Sequence, residues 1–218
     1  ANLFPPFSQM VAAQLRNSQP RRRAAIVLTA GVAAPDNETV RSQRVFLGAA
    51  LEMLHLAITV HMILADSESS DTPNRSLLGS TVLAGDYCFS RSASLAVRTG
   101  NSTVVEIFSD ALKRVSEGRL RHFFDPSDDS YNEDQELFVA GATAAMHLAH
   151  TPAHARSEIL RFVAGFAHLE TSSLARVLTS SLANVLDAYQ NDRWLALLSW
   201  QVDSDLRKFC TEIEMIAI

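Results

Sequence analysis

The stretch Ala49-Ala50-Leu51-Glu52-Met53-Leu54-His55-Leu56-Ala57-Ile58-Thr59-Val60-His61-Met62 decides the fold. Within and around it, Val45, Leu47, Ala50, Leu51, Leu54, Ala57, Ile58 and Met62 recur at helical spacings. The apolar face is wide, and a helix apolar nearly all round is the central element of a bundle rather than a surface element. Glu52, His55 and His61 interrupt the run from Phe46 to Ala65. It is therefore read as a core helix, short of the roughly 18 uninterrupted apolar residues of a membrane span, and no transmembrane segment is expected.

The rest of the chain supports helices on both sides of that stretch. Only 8 glycines and 7 prolines punctuate 218 residues, and each such residue inside a helix costs roughly 1 to 3 kcal/mol. A short first helix is expected over Phe7 to Leu15, a second from Arg21 to about Ala33, and the long one from Glu38 to Ala65. Pro35-Asp36-Asn37 marks the turn between the last two. A polar loop, Asp66 to Pro73, precedes a helix over Leu77 to Arg98. Gly100 is a candidate C-cap and Ser102 an N-cap for a helix reaching Phe124. After an acid-rich loop, further helices are expected over Glu133 to His150, Ala153 to Glu170, Ser172 to Tyr189 and Arg193 to Met215. No strand-period run and no repeat stands out. The fold class is all-α, a helical bundle, and residues 1–218 read as a single domain.

Composition narrows the function. The net charge of −5 gives no basic surface for nucleic acid, and the only basic run is Arg21-Arg22-Arg23. Cys88 and Cys210 have no metal-ligand spacing and read as reduced thiols. No basic segment followed by an apolar run opens the chain, so the expected location is cytoplasmic. No Gly-x-Ser-x-Gly, phosphate-binding glycine loop or Cys–His pairing is present.

Several stretches, in order, resemble one family. Glu52-x-x-His55, followed six residues later by His61, is similar to the helix that leads into the first aspartate-rich motif of the trans-polyprenyl diphosphate synthases. Leu83-Ala84-Gly85-Asp86-Tyr87, with Gly100-Asn101 after it, resembles that family's dimer-interface helix. Glu117-Gly118 resembles its Glu-Gly ahead of a substrate-lining stretch, and Arg21-Arg22-Arg23-Ala24 is a weaker echo of its pyrophosphate-contacting Lys-Arg-x-Arg-Pro. The resemblance covers roughly residues 7 to 190 and implies an isoprenoid-synthase-like bundle.

It also implies chemistry whose residues are missing. The family ionises an allylic diphosphate and adds isopentenyl diphosphate to the cation, with magnesium held by clustered carboxylates because a hard cation takes oxygen ligands. Where the family has Asp-Asp-x-x-Asp after its histidine, this chain has Met62-Ile63-Leu64-Ala65-Asp66, so Asp66 is the one remnant. The following Arg-Arg-Gly is reduced to Asn74-Arg75-Ser76. At the second motif stand Ser172, Ser173 and Arg176, and an arginine in a metal nest repels the ion. The preceding Lys-Thr is Ala142-Thr143.

The resemblance therefore implies a degenerate member, similar to the small subunits that lack aspartate motifs and pair with a catalytic prenyl diphosphate synthase subunit. No catalytic or metal-ligating residue is assigned, and magnesium is expected only in the catalytic partner. Arg21, Arg22, Arg23 and Arg75 are candidate diphosphate contacts, and Leu83, Asp86, Tyr87 and Phe108 candidate interface residues. Glu52 and His55 read as a buried polar pair, and His147, His150 and His154 as a surface group divided by Pro152. Asp125, Asp128 and Asp129 read as a solvated loop without the glycine and glutamate of a calcium site. Two other functions are compatible with the same residues. One is a homodimeric pseudoenzyme that binds an apolar isoprenoid or lipid. The other is an active prenyltransferase with carboxylates recruited from Asp66 to Asp71.

Overall fold

The computed structural model describes residues 22–31, 37–67, 75–125, 127, 131–167 and 193–194, with backbone alone at 63–67 and 75–78. The expected helices Phe7 to Leu15 and Ser172 to Tyr189 lie outside them, as do Arg21, Cys210 and all of Arg193 to Met215 except its first two residues.

Among the described residues six helices pack together: α1 Arg22–Ala30, α2 Glu38–Ser67, α3 Arg75–Val97, α4 Ser102–Phe124, α5 Glu133–Leu148 and α6 Ala153–Phe166. α2, 30 residues long, is the central one. From Val45 to Val60 almost every apolar side chain on it is buried. Its stretch Glu38–Met62 is long and apolar enough by composition to cross a membrane, but 67% of that window is buried within the fold, as befits the core helix that the sequence led to expect.

α3 lies antiparallel along α2. At one end Gln43 Nε2 donates to the Thr99 carbonyl at 2.8 Å and the Arg98 guanidinium stacks over Phe46 at 4.1 Å. At the other, His61 lies against Gly85. On the opposite side of α2 sit α1 and α5. The three meet at Gly141, where an added Cβ would lie 2.8 Å from Leu51 Cδ1 and 3.1 Å from Val27 Cγ2. α4 packs on α5, and α6 closes the core through Phe162 and Phe166, with Trp194 edge-on to Phe162 at 5.0 Å.

Local chemistry sets the helix ends. α1 stops at Gly31, short of Ala33, where Arg44 Nη1 donates to the Gly31 carbonyl at 2.8 Å. α2 starts behind Asn37, whose Oδ1 accepts from Val40 N–H. It runs past Ala65 to Ser67, so Asp66 sits in its last turn rather than opening a loop. Gly100 does close α3, with φ 64° and its N–H on the Val97 carbonyl. The N-cap of α4 is Asn101, not Ser102, because the Asn101 Oδ1 reaches Val104 N–H at 3.1 Å. Asn132 caps α5 in the same way through Gln135 N–H.

Candidate functional site

The C-terminal end of α2 is where the sequence resemblance places metal chemistry. His61 is half-buried, held over Gly85 of α3, with Nε2 3.4 Å from Asp86 Oδ1. A Cβ at position 85 would overlap the imidazole, so the glycine permits the close approach. The next side chain, Met62, is an exposed thioether. Magnesium requires several oxygen ligands. The described side chains here, a thioether and an imidazole facing an exposed carboxylate, do not fit it. Asp66 and Arg75 lie on the ends of α2 and α3 that flank residues 68–74.

A turn and a half earlier on α2, charged side chains from four helices converge. Arg23 of α1 is buried, pairs with Asp134 of α5, and has Nη1 3.9 Å from Glu52 Oε2. Glu52 is buried too, and its Oε1 accepts from Ala24 N–H at 3.0 Å, which caps the start of α1. One turn further, His55 Nδ1 lies 3.0 Å from Glu133 Oε1. Arg119 of α4 donates to the other carboxylate oxygen of Glu133, with Nε at 2.9 Å.

Glu133 is the hub of this cluster. Burial alone would push its carboxyl up, but the hydrogen bonds from His55 and Arg119 and their charges more than reverse that and hold it below the usual carboxylate range. Next to it, Tyr131 donates its hydroxyl to the Val115 carbonyl at 3.3 Å. Its phenol is pushed up by burial and then by the negative charge of Glu133. Gly118 is needed here, since a Cβ would overlap the Tyr131 ring.

The expected residues divide accordingly. Arg23, a candidate diphosphate contact, is buried and paired with the internal carboxylates of Glu52 and Asp134. Arg22 is half-buried beside it and also engaged within the fold. Glu52 and His55 are buried or half-buried polar groups as expected, although each is satisfied by another helix rather than by the other. Phe108 is a correction: at 4% exposure it belongs to the hydrophobic core and cannot meet a partner. Helical periodicity turns it inward with Val104, Ala111 and Val115. Leu83 points outward at 68% exposure, Asp86 is exposed, and Tyr87 packs half-buried against the core. His150 and His154 are exposed, and no group of three metal-competent side chains occurs among the described residues.

Sequence reading missed Glu133, Asp134, Arg119 and Tyr131 as a cluster. An asparagine followed by two acids does signal a helix start with acids on the positive end of the dipole. Their partners, however, lie 78 and 111 residues away, beyond the reach of local pattern.

No protein-family model and no curated protein sequence matches the chain. Solved structures do match. A decaprenyl diphosphate synthase from Rhodobacter capsulatus superposes with a TM-score of 0.61 at 18% identity, over 100% of this chain and 90% of that one. An isoprenoid synthase family member from Thermotoga neapolitana gives 0.60 at 18%, over 99% and 91%. A geranylgeranyl pyrophosphate synthase from Corynebacterium glutamicum, solved with calcium and isoprenyl diphosphate, gives 0.59 at 17%, over 99% and 83%. The chain has the all-α fold of the isoprenoid synthases.

Proposed function

We propose that this chain is a non-catalytic subunit of a heteromeric trans-prenyl diphosphate synthase, completing a dimer with a catalytic subunit and influencing the length of its product. The observation that carries the reading is the apolar pair Met62-Ile63 on the isoprenoid-synthase fold, at positions where the family resemblance has its first two aspartates. The commitment of Arg23 to Glu52 and Asp134 supports it, because a cation neutralised by two buried or half-buried carboxylates has little left for a diphosphate. The outward face of α3 supplies the docking surface: Leu83 and Val97 are exposed apolar residues, with Gly79, Ser90, Ala93 and Ser94 keeping the helix surface low between them. Such a subunit acts by contributing to a shared cavity wall or by favouring the partner's active conformer.

The test is prenyltransferase activity with magnesium, isopentenyl diphosphate and allylic primers. It is run on this chain alone and mixed with an aspartate-motif synthase from the same source. Activity confined to the mixture, or a shift in its product length, is the expected result. Turnover by the isolated chain refutes the reading.

A further inference from the structure

Away from the end of α2, α4 and the start of α5 enclose a surface cleft of about 200 Å³. Gly118 presents no side chain, and the Tyr131 ring lies directly against it, fixed by its hydroxyl on the Val115 carbonyl.

The walls carry two positive and two negative charges. Arg114 and Glu136 satisfy one another, with Nε donating to Oε2 at 2.7 Å. The other two are not joined to each other. Among the described residues Glu117 meets only Lys113, 3.9 Å away on the exposed side of α4, a pair of the kind that contributes little. The Arg121 guanidinium has no hydrogen-bond or ion-pair partner among the described residues. Asn132 spends its Oδ1 on capping α5, which leaves both hydrogens of its Nδ2 to the cleft side or solvent.

Among the described residues the lining therefore offers an unpaired cation, an unpaired amide donor and a weakly held carboxylate around the Tyr131 ring. A simple anion would meet Glu117 and Glu136, and a simple cation would meet both arginines. A molecule carrying both charges satisfies both sides. The volume falls below the range of about 300 to 1,000 Å³ typical of sites for drug-sized ligands.

We propose that this cleft binds a small zwitterion, an α-amino acid with an apolar or aromatic side chain. Its carboxylate meets Arg121 and Asn132, its ammonium meets Glu117, and its side chain lies on the Tyr131 ring. The site is independent of the subunit reading, and neither stands or falls with the other.

Calorimetric titration of the full chain tests this with L-phenylalanine, phenylacetate and phenethylamine as probes. L-phenylalanine is expected to bind saturably, with each singly charged analogue at least about tenfold weaker, the loss of one charge-assisted hydrogen bond. Arg121→Gln and Glu117→Gln should each weaken L-phenylalanine about tenfold. Both positions are exposed, so unfolding midpoints should stay within about 2 °C of the parent. Phenylacetate binding as tightly as L-phenylalanine, affinity unchanged by both substitutions, or no saturation below about 10 mM would each overturn the proposal.

Discussion

Glu133→Gln is the sharpest test of the cluster that ties α2, α4 and α5 together. The change keeps the side-chain shape, removes the charge and turns one of the two acceptor oxygens into an NH2 donor. Glu133 is 10% exposed and accepts from His55 on one oxygen and from Arg119 on the other. Breaking a fully buried ion pair costs about 3 to 5 kcal/mol. Arg119 is a third exposed and can turn to water, so a discount is due, and the expected loss is about 2 to 3 kcal/mol at pH 7. The pH dependence has a definite sign. Because the folded protein holds this carboxyl below its unfolded value, the stabilisation is fully present above that value, about 4.3. It fades as pH falls through the lower, folded one. Urea unfolding followed by circular dichroism, on parent and variant across pH 7 to 3, gives both numbers. A gap under about 0.5 kcal/mol at pH 7 would refute the reasoning, because that is the range of an ordinary surface substitution. So would a gap of about 2 kcal/mol that persists unchanged at the acid end.

Three further outcomes follow from the same geometry. Gly118→Ala should destabilise by about 1 to 3 kcal/mol through overlap with the Tyr131 ring, whereas Gly79→Ala, with nothing within 4 Å, should stabilise α3 by about 0.5 to 1 kcal/mol; thermal unfolding of the two variants distinguishes them. Leu83→Arg should leave the isolated chain within about 0.5 kcal/mol of parent stability while abolishing association with the catalytic partner on gel filtration, and Phe108→Arg should prevent folding altogether because its side chain is in the core. The Cys88 thiol is buried and pushed up to about 11 by that burial, so at pH 8 its peptide should be alkylated by iodoacetamide only under denaturing conditions, as read by mass spectrometry.

What was legible in the sequence follows from local causes. The order and most boundaries of α2 to α6 could be read because breakers, caps and periodicity act within a few residues. Ser102 to Phe124 is one case, where Gly100-Asn101 and the acid-rich loop bracket α4. The central place of α2 was legible for the same reason, since a helix apolar on every face has to be surrounded. The absence of the aspartate pair at Met62-Ile63 is a property of the sequence alone. What only the tertiary structure decided is which polar groups meet. Arg23 looked like a free cation until α5 brought Asp134 to it, and His55 looked like the partner of Glu52 until each found a carboxylate or amide on another helix. Phe108 reads as easily on a docking face as in a core, because a 3.6-residue period fixes which residues share a face and leaves open what that face meets. That choice belongs to the packing of α4, and the packing turned Phe108 inward and left Leu83 of α3 facing out.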